Sequence, residues 1–413
     1  LALVSSGNKY CVANRGNFTL SGKWLWTWKN WIDQRFVKKF SKLPKMPPDK
    51  TVTIDPALAS SDTIKEISAI AMRCGGCGAK VGSNVLNRAL SELEPTPRKD
   101  ILIGLQDPDD AAVVEVPKSK VIVHTVDYFR SFIDDPYLFG KISANHSLSD
   151  IFAMGAEAQS ALAIATVPYG IETKIEETLR QLMAGAMEML NDANAALVGG
   201  HTSEGAELAL GFSVNGLVSK NKILRKGGLQ PGDVLVLTKS LGTGTLFAAD
   251  MQQKAKGRWI DEALESMTLS NRLAADCVFK HGATACTDIT GFGLLGHMVE
   301  MIKPSGVDVE VNLNALPVMD GALETVSMGI LSTLQPANIR LRRAISNIHE
   351  AATSELYPLV FDPQTSGGLL ASLPAKNADA CINELVALGY PKSIAIGTVK
   401  AAGSELEPVT LRA

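Results

Sequence analysis

Strand-length apolar runs alternate with stretches of helical periodicity from about residue 63 to residue 404. Such interleaving leaves architectures in which helices pack on sheets, so the chain reads as α/β (α+β) with mixed sheets. Runs at 121–126, 161–167, 195–198 and 208–218 read as strands, as do 233–238, 307–313 and 367–372. Helical spacing covers 142–154, 173–190, 261–280 and 292–302. Ser83 is placed to cap a further helix carrying Val85, Leu86, Ala89, Leu90 and Leu93. The turn pair Pro231, Gly232 divides two halves, giving domains at 63–230 and 231–404 and a tail at 405–413.

The 413 residues suggest two or three domains. At 46% hydrophobic and 20% charged, the composition excludes collagen-like and disordered classes. A net charge of −3 offers no basic excess for a nucleic-acid backbone, so nucleic acid is not an expected partner. Cys11, Cys74, Cys77, Cys277, Cys286 and Cys381 are too sparse for a secreted disulfide framework and point to a reducing, cytoplasmic setting. No apolar run is long enough to span a bilayer, and the first residues given do not show a charged start, apolar run and cleavage site.

Residues 1–42 differ from the rest. Four of the five tryptophans, Trp24, Trp26, Trp28 and Trp31, lie there among Lys23, Lys29, Arg35, Lys38, Lys39 and Lys42. Leu25, Trp28, Trp31, Ile32, Phe36 and Phe40 recur near helical spacing. A basic amphipathic helix of this kind suits either a peripheral position on a membrane surface or packing on a partner domain. The segment is similar to the tail of a flavin-dependent NADH dehydrogenase, so it is expected to be the remnant of an upstream oxidoreductase domain. Pro44, Pro47, Pro48 and Pro56 then mark residues 43–62 as a linker.

The chemistry-bearing residues are dispersed. There is no Walker phosphate loop. Gly291, Gly293 and Gly296 form a literal G-x-G-x-x-G, with Glu310 near the distance of a ribose-binding acid. Asp288 just before it would repel a pyrophosphate, and Phe292, Leu294 and Leu295 read as core residues of an ordinary helix start. Asp127 and Asp288 each end a strand, Asp150 precedes Ile151 to Met154, and Asp107, Pro108, Asp109 and Asp110 precede an apolar stretch. Each acid taken singly fits a cap or a turn; several acids beside apolar residues suggest a shared cation such as magnesium. Cys74 and Cys77 form a C-x-x-C pair without the partners of a zinc site. Lys80 stands three residues beyond Cys77, where an ammonium favours a thiolate or neutralises a phosphate. Gly199 and Gly200 before His201 and Thr202 allow backbone N–H groups to approach an anion.

In order, the segments 76–80, 109–112, 125–127, 145–155, 199–202, 287–297 and 362–370 resemble the selenophosphate synthetase (selenide, water dikinase) family, of the aminoimidazole ribonucleotide synthetase-like superfamily. The resemblance runs from about residue 70 to 400. It implies a two-domain fold of that superfamily and the reaction of ATP, hydrogen selenide and water to selenophosphate, phosphate and AMP. A sister small-molecule kinase or synthetase on the same scaffold is the alternative.

On the matching motifs Cys77 is the catalytic cysteine and Lys80 the essential lysine. Asp110, Asp150 and Asp288 are metal ligands, while Asp107, Pro108, Asp109, Asp127, Gly199, Gly200, His201 and Thr202 contact the nucleotide. The resemblance also implies Mg2+, with a monovalent cation such as K+ left open, and a homodimer binding nucleotide near its interface. Ala79 stands where many members carry a second cysteine, which leaves Cys74 as the other thiol of the loop.

Overall fold

The computed structural model describes residues 2–16, 18–41, 80–106, 111–403 and 406–413. The chain divides into two units, Leu1–Lys65 and Glu66–Ala413. The linker at 43–62 lies outside the described residues.

In the first unit, β1 (Ala2–Gly7), β2 (Tyr10–Arg15) and β3 (Phe18–Gly22) form an antiparallel sheet in chain order. Asn8 and Lys9 both have positive φ (46° and 54°), the conformation that closes a two-residue hairpin. The sequence reading gave no strands here, because short polar strands carry little periodicity. The expected helix is present as Lys23–Ser41. Among the described side chains of its apolar stripe Leu25 alone is buried, beside Cys11 and Ala13, whereas Trp24, Trp28 and Trp31 are exposed. Among the described residues no helix is long and apolar enough to cross a membrane.

The second unit carries two main sheets. β6 (Lys120–Arg130), β7 (Glu157–Pro168), β8 (Ala196–Gly205) and β9 (Ala209–Ser219) lie in the order β6-β9-β7-β8, with only the β7–β8 pair parallel. Between β3 and β6 a small ribbon pairs β4 (Ile101–Ile103) with β5 (Val113–Val114). The helices Pro136–Ala153 and Glu172–Asp192 pack with this first sheet around Phe139, Leu148, Leu182 and Phe212. They approach closely because glycine replaces side chains at the crossing: a Cβ on Gly185 would lie 1.9 Å from the Tyr137 carbonyl oxygen, and one on Gly140 2.0 Å from that of Leu182. Gly185→Ala is therefore expected to destabilise the fold by about 1–3 kcal/mol, the cost of forcing extra atoms into a packed interior, read as a lower urea midpoint.

The second sheet contains β10 (Asp233–Leu237), β11 (Ala285–Asp288), β12 (Val307–Asn312), β13 (Leu369–Pro374), β14 (Ile394–Ala401) and β15 (Val409–Arg412). Their order is β11-β13-β10-β14-β12-β15, parallel only at β12–β15. Mixed sheets with packed helices are the expected class.

Several local expectations need correction. Ser83 is the first residue of its helix, Ser83–Ser91, and Gly82 is the N-cap, so the serine hydroxyl caps nothing. The helix expected over 261–280 is two helices, Gly257–Thr268 and Arg272–Lys280. The break frees the Leu269 carbonyl to accept from Asn145 Nδ2 (2.9 Å) and Lys239 Nζ (2.6 Å). Phe292 is exposed rather than in the core, while Leu294 and Leu295 are buried as expected. Gly293 (φ 70°) opens the helix Gly293–Ser305, and a Cβ there would lie 2.9 Å from the Phe361 carbonyl carbon. This glycine serves a close approach of chain to chain. Glu310, the candidate ribose acid, pairs with Lys400 and Arg412 instead.

Candidate active site

Side chains alternate faces along a strand, which turns Thr125 and Asp127 toward the half-buried side of β6. Asp127 therefore sits within its strand, not at the end as the sequence suggested. Thr125 Oγ1 donates to Asp150 Oδ2 at 2.5 Å, tying β6 to the last turn of the Pro136–Ala153 helix. Asp288 ends β11, as expected, and is only 5% exposed. The Asp127 and Asp150 carboxyls are close enough to share a hydrogen bond, and both act on Asp288 as like charges.

The electrostatic consequence is large. Burial, then the neighbouring Asp150, pushes Asp127 up to about 6. Burial, again followed by Asp150, pushes Asp288 up to about 7, against an opposing hydrogen bond from Ser149. Three carboxyls from three separate elements thus crowd one place, a configuration stabilised only by protons or cations.

The surrounding shell is polar and buried. His146 Nδ1 accepts from the Ser366 N–H (3.0 Å), and Nε2 lies 3.9 Å from Asp127 Oδ1. Burial holds this histidine down near 4. Lys239 is 2% exposed and donates to the carbonyls of Leu269 and Ser366 (3.1 Å). Burial lowers its ammonium to about 7, with Asp288 pulling the other way. Asn145 Nδ2 donates to Met267 O, Leu269 O and Ser366 Oγ, and Asn271 Nδ2 to Ser149 Oγ and Gly367 O. The Oδ1 atoms of both asparagines are buried with no protein partner.

The 362–368 segment of the matching motifs has a structural task. Gln364 Oε1 accepts from the N–H groups of Gly242 and Thr243, and Asp362 Oδ2 from that of Gly244, so these side chains cap the helix Thr243–Met251 from outside it. A Cβ on Gly368 would lie 2.5 Å from Lys239 N, which is how closely the segment presses on the Lys239 backbone.

Gly199, Gly200, His201 and Thr202 lie inside β8 rather than after a strand. A Cβ on Gly200 would meet the Ala163 carbonyl oxygen at 2.2 Å, so that glycine satisfies the β7–β8 ladder. Gly199, Gly200 and His201 line a cavity of about 560 Å³ with Leu162, Ser213 and Asn215. Asn215 Oδ1 contacts His124 Nδ1 (2.6 Å), a residue on the opposite side of β6 from Asp127. That cavity and the acids therefore belong to opposite faces of one sheet. Lys80 bridges Ser203 of β8 and is exposed. Cys74, Cys77, Asp107, Pro108, Asp109 and Asp110 lie outside the described residues.

His146, Lys239 and Asn271 escaped the sequence reading. For His146 a signal was available in the polar residues among apolar ones, since the Pro136–Ala153 helix buries Asn145, Ser147 and Ser149 beside Ile142, Leu148 and Phe152.

Comparison with known proteins gives the class first. Residues 108–218 match the "AIR synthase related protein, N-terminal domain" family and residues 230–407 its C-terminal counterpart. Among solved structures, the hydrogenase maturation protein HypE in complex with ATP aligns with a TM-score of 0.62 at 17% identity, over 80% of this chain and 92% of that one. Thiamine-monophosphate kinase from Stenotrophomonas maltophilia K279a aligns with a TM-score of 0.58 at 21% identity, over 79% and 94%. At these identities the likeness is one of fold.

Within that class the chain belongs to the selenide, water dikinase family. It is 36% identical to the selenide, water dikinase of Nitratidesulfovibrio vulgaris (strain DP4) over 350 residues, 82% of this chain and 97% of that protein. It is 39% identical to that of Caldanaerobacter subterraneus subsp. tengcongensis over 313 residues, 76% and 90%.

Proposed function

We infer that this chain is an enzyme, a selenophosphate synthetase that converts ATP, hydrogen selenide and water to selenophosphate, phosphate and AMP. Family membership supports the overall reaction. The observation that carries the site reading is the convergence of Asp127, Asp150 and Asp288 from β6, a helix and β11.

Those residues fit a hard divalent cation. They are oxygen donors, their charges repel one another in a buried place, and the asparagine oxygens of the surrounding shell lack protein partners. We assign Asp150 and Asp288, with Asp110, to hold magnesium. Bound there, magnesium would neutralise phosphate charge that the aspartates alone would repel. Asp127, placed among the nucleotide contacts by resemblance, sits against Asp150 and shares in that charge. Lys239 and His146 fix the Ser366 segment behind the acids. Lys80 adds a positive charge toward the phosphates, and Cys77, three residues before it, acts at selenide. Asp107, Pro108, Asp109, Gly199, Gly200, His201 and Thr202 are assigned to the nucleotide.

The exposed apolar residues Ile122, Val126 and Leu162 share the sheet face on which the β8 cavity opens. A homodimer covering that face would bring the nucleotide near its interface. The domain boundaries at 63–230 and 231–404, the cytoplasmic setting and a requirement for K+ belong to the same proposal. So does the peripheral membrane or oxidoreductase-domain contact through residues 1–42, supported by the exposure of Trp24, Trp28 and Trp31.

Phosphorus NMR of ATP with and without selenide tests the reaction. AMP, phosphate and a selenophosphate resonance, all dependent on selenide, are expected. ADP formed with a phosphorylated alcohol would assign the chain to the sister kinases instead.

A further inference from the structure

Away from the acids, two helices more than 90 residues apart in sequence bring a second set of ligand-type side chains together. Cys277 lies in the last turns of Arg272–Lys280, with His281 immediately after, and Cys381 and Glu384 lie on the helix Ala375–Ala387. The spacings are four and three residues, which put each pair on one helix face. Ligand atoms of Cys277, His281 and Glu384 all lie within 4.8 Å of one another. Cys381 Sγ stands outside that group of three but 3.9 Å from Cys277 Sγ, and His281 Nε2 is 2.9 Å from a Glu384 oxygen.

We propose that Cys277, Cys381, His281 and Glu384 form a structural zinc site that staples these two helices together. Two thiolates about 2.3 Å from a tetrahedral zinc stand roughly 3.8 Å apart, which is the separation seen here. The donor set, two sulfurs with one imidazole and one carboxylate, suits a borderline-soft d10 ion and not magnesium. Both thiols are buried, whereas His281 and Glu384 stand at the outer end, so the ion enters from the histidine side. The His281 carbonyl accepts from Asn377 Nδ2 at 2.8 Å, which holds the ligand-bearing turn against the other helix. Binding replaces two S–H bonds with two sulfur–metal bonds and releases two protons to solvent. The competing cation is Lys280, which spans both Glu384 oxygens (2.7 and 2.8 Å) from a side chain 65% exposed, free to swing into water.

The test uses the full chain carrying Cys74→Ser and Cys77→Ser, so that no thiol of the loop contributes. Cobalt is the probe, because only thiolate ligation gives a sulfur-to-cobalt charge-transfer band; cobalt on the aspartates gives none. The expected result is a band saturating at one cobalt per chain and bleached by zinc. Adding Cys381→Ser should cut its intensity to about half or less, since Cys277 alone then supplies a thiolate, and adding Cys277→Ser as well should abolish it. Since a buried thiol change can impair folding, His281→Ala is the second variant; it should weaken cobalt binding at least about tenfold, since even outer-shell partners of a metal are worth that. Absence of the band, or a band indifferent to both variants, overturns the proposal. So does loss of two titratable thiols on mild oxidation without metal uptake, which would make the pair a disulfide.

Discussion

Asp288→Asn should lower selenide-dependent AMP formation on the order of 10²–10³-fold, the scale of removing one preorganised charge-stabilising group, while making the metal-free protein more stable. The second effect follows from the sign of the shift. Burial and Asp150 raise Asp288 to about 7 in the folded chain, and Asp127 to about 6. The unfolded chain releases these protons near pH 4, the ordinary carboxylate range. Between roughly pH 4 and 7 the folded state thus holds protons that the unfolded state has lost, so stability falls as pH rises through that window. Asparagine removes the buried charge and with it the loss.

Magnesium held as proposed would act in the opposite direction, since its ligands must be ionised and its binding displaces the same protons. Added magnesium should therefore raise the melting temperature of the unsubstituted protein more at about pH 8 than at about pH 5, and the difference should shrink in Asp288→Asn. Thermal melts at the two pH values, with and without magnesium, check this together with the AMP assay. A variant that, without magnesium, melts lower than the parent at the higher pH, or that keeps full turnover, would remove Asp288 from the metal site.

How far the sequence could show this site differs residue by residue. Asp127, Asp150 and Asp288 stood out because an acid beside apolar residues is costly to bury alone, and the structure brings all three together. Their convergence depends on the meeting of two sheets and a helix, which no local pattern encodes. Lys239 shows the limit most clearly. Between Thr238 and Ser240, just beyond β10, it reads as a solvated turn lysine. It is buried because Gly368, more than a hundred residues later, lets the chain press against its backbone. The broken helix over 261–280 has the same origin: local periodicity favours continuity, but the Leu269 carbonyl is claimed by Asn145 and Lys239. His146 is one polar residue on a largely apolar helix, and what ties it to the site is its bond to the Ser366 N–H and the approach of its Nε2 to Asp127, neither of which a local pattern encodes. The strands of residues 2–22 carry little local signal because their described side chains are mostly exposed and alternate weakly, with Cys11 and Ala13 buried among them.

In the proposed site the segment carrying Cys77 would take two jobs that the acids cannot do alone. Selenide is a soft anion approaching a centre already crowded with phosphate oxygens, and a thiol three residues from Lys80 brings a soft nucleophile and a positive charge to that encounter. Cys77→Ser keeps the size of the side chain and the ammonium but gives up the sulfur. Selenophosphate formation should fall by about 10³-fold or more, on the scale of losing a working nucleophile. ATP affinity should change little, because Lys80 is kept and the other residues assigned to the nucleotide lie on other segments, from Asp107 to Thr202. Lys80→Ala should behave differently and weaken ATP binding as well, since its role is toward the phosphates. The discriminating measurement is paired: nucleotide affinity by calorimetry beside selenophosphate by phosphorus NMR. If Cys77→Ser lost ATP binding in proportion to turnover, the cysteine would belong to the nucleotide site; if it turned over normally, selenide would reach the phosphoryl group without it.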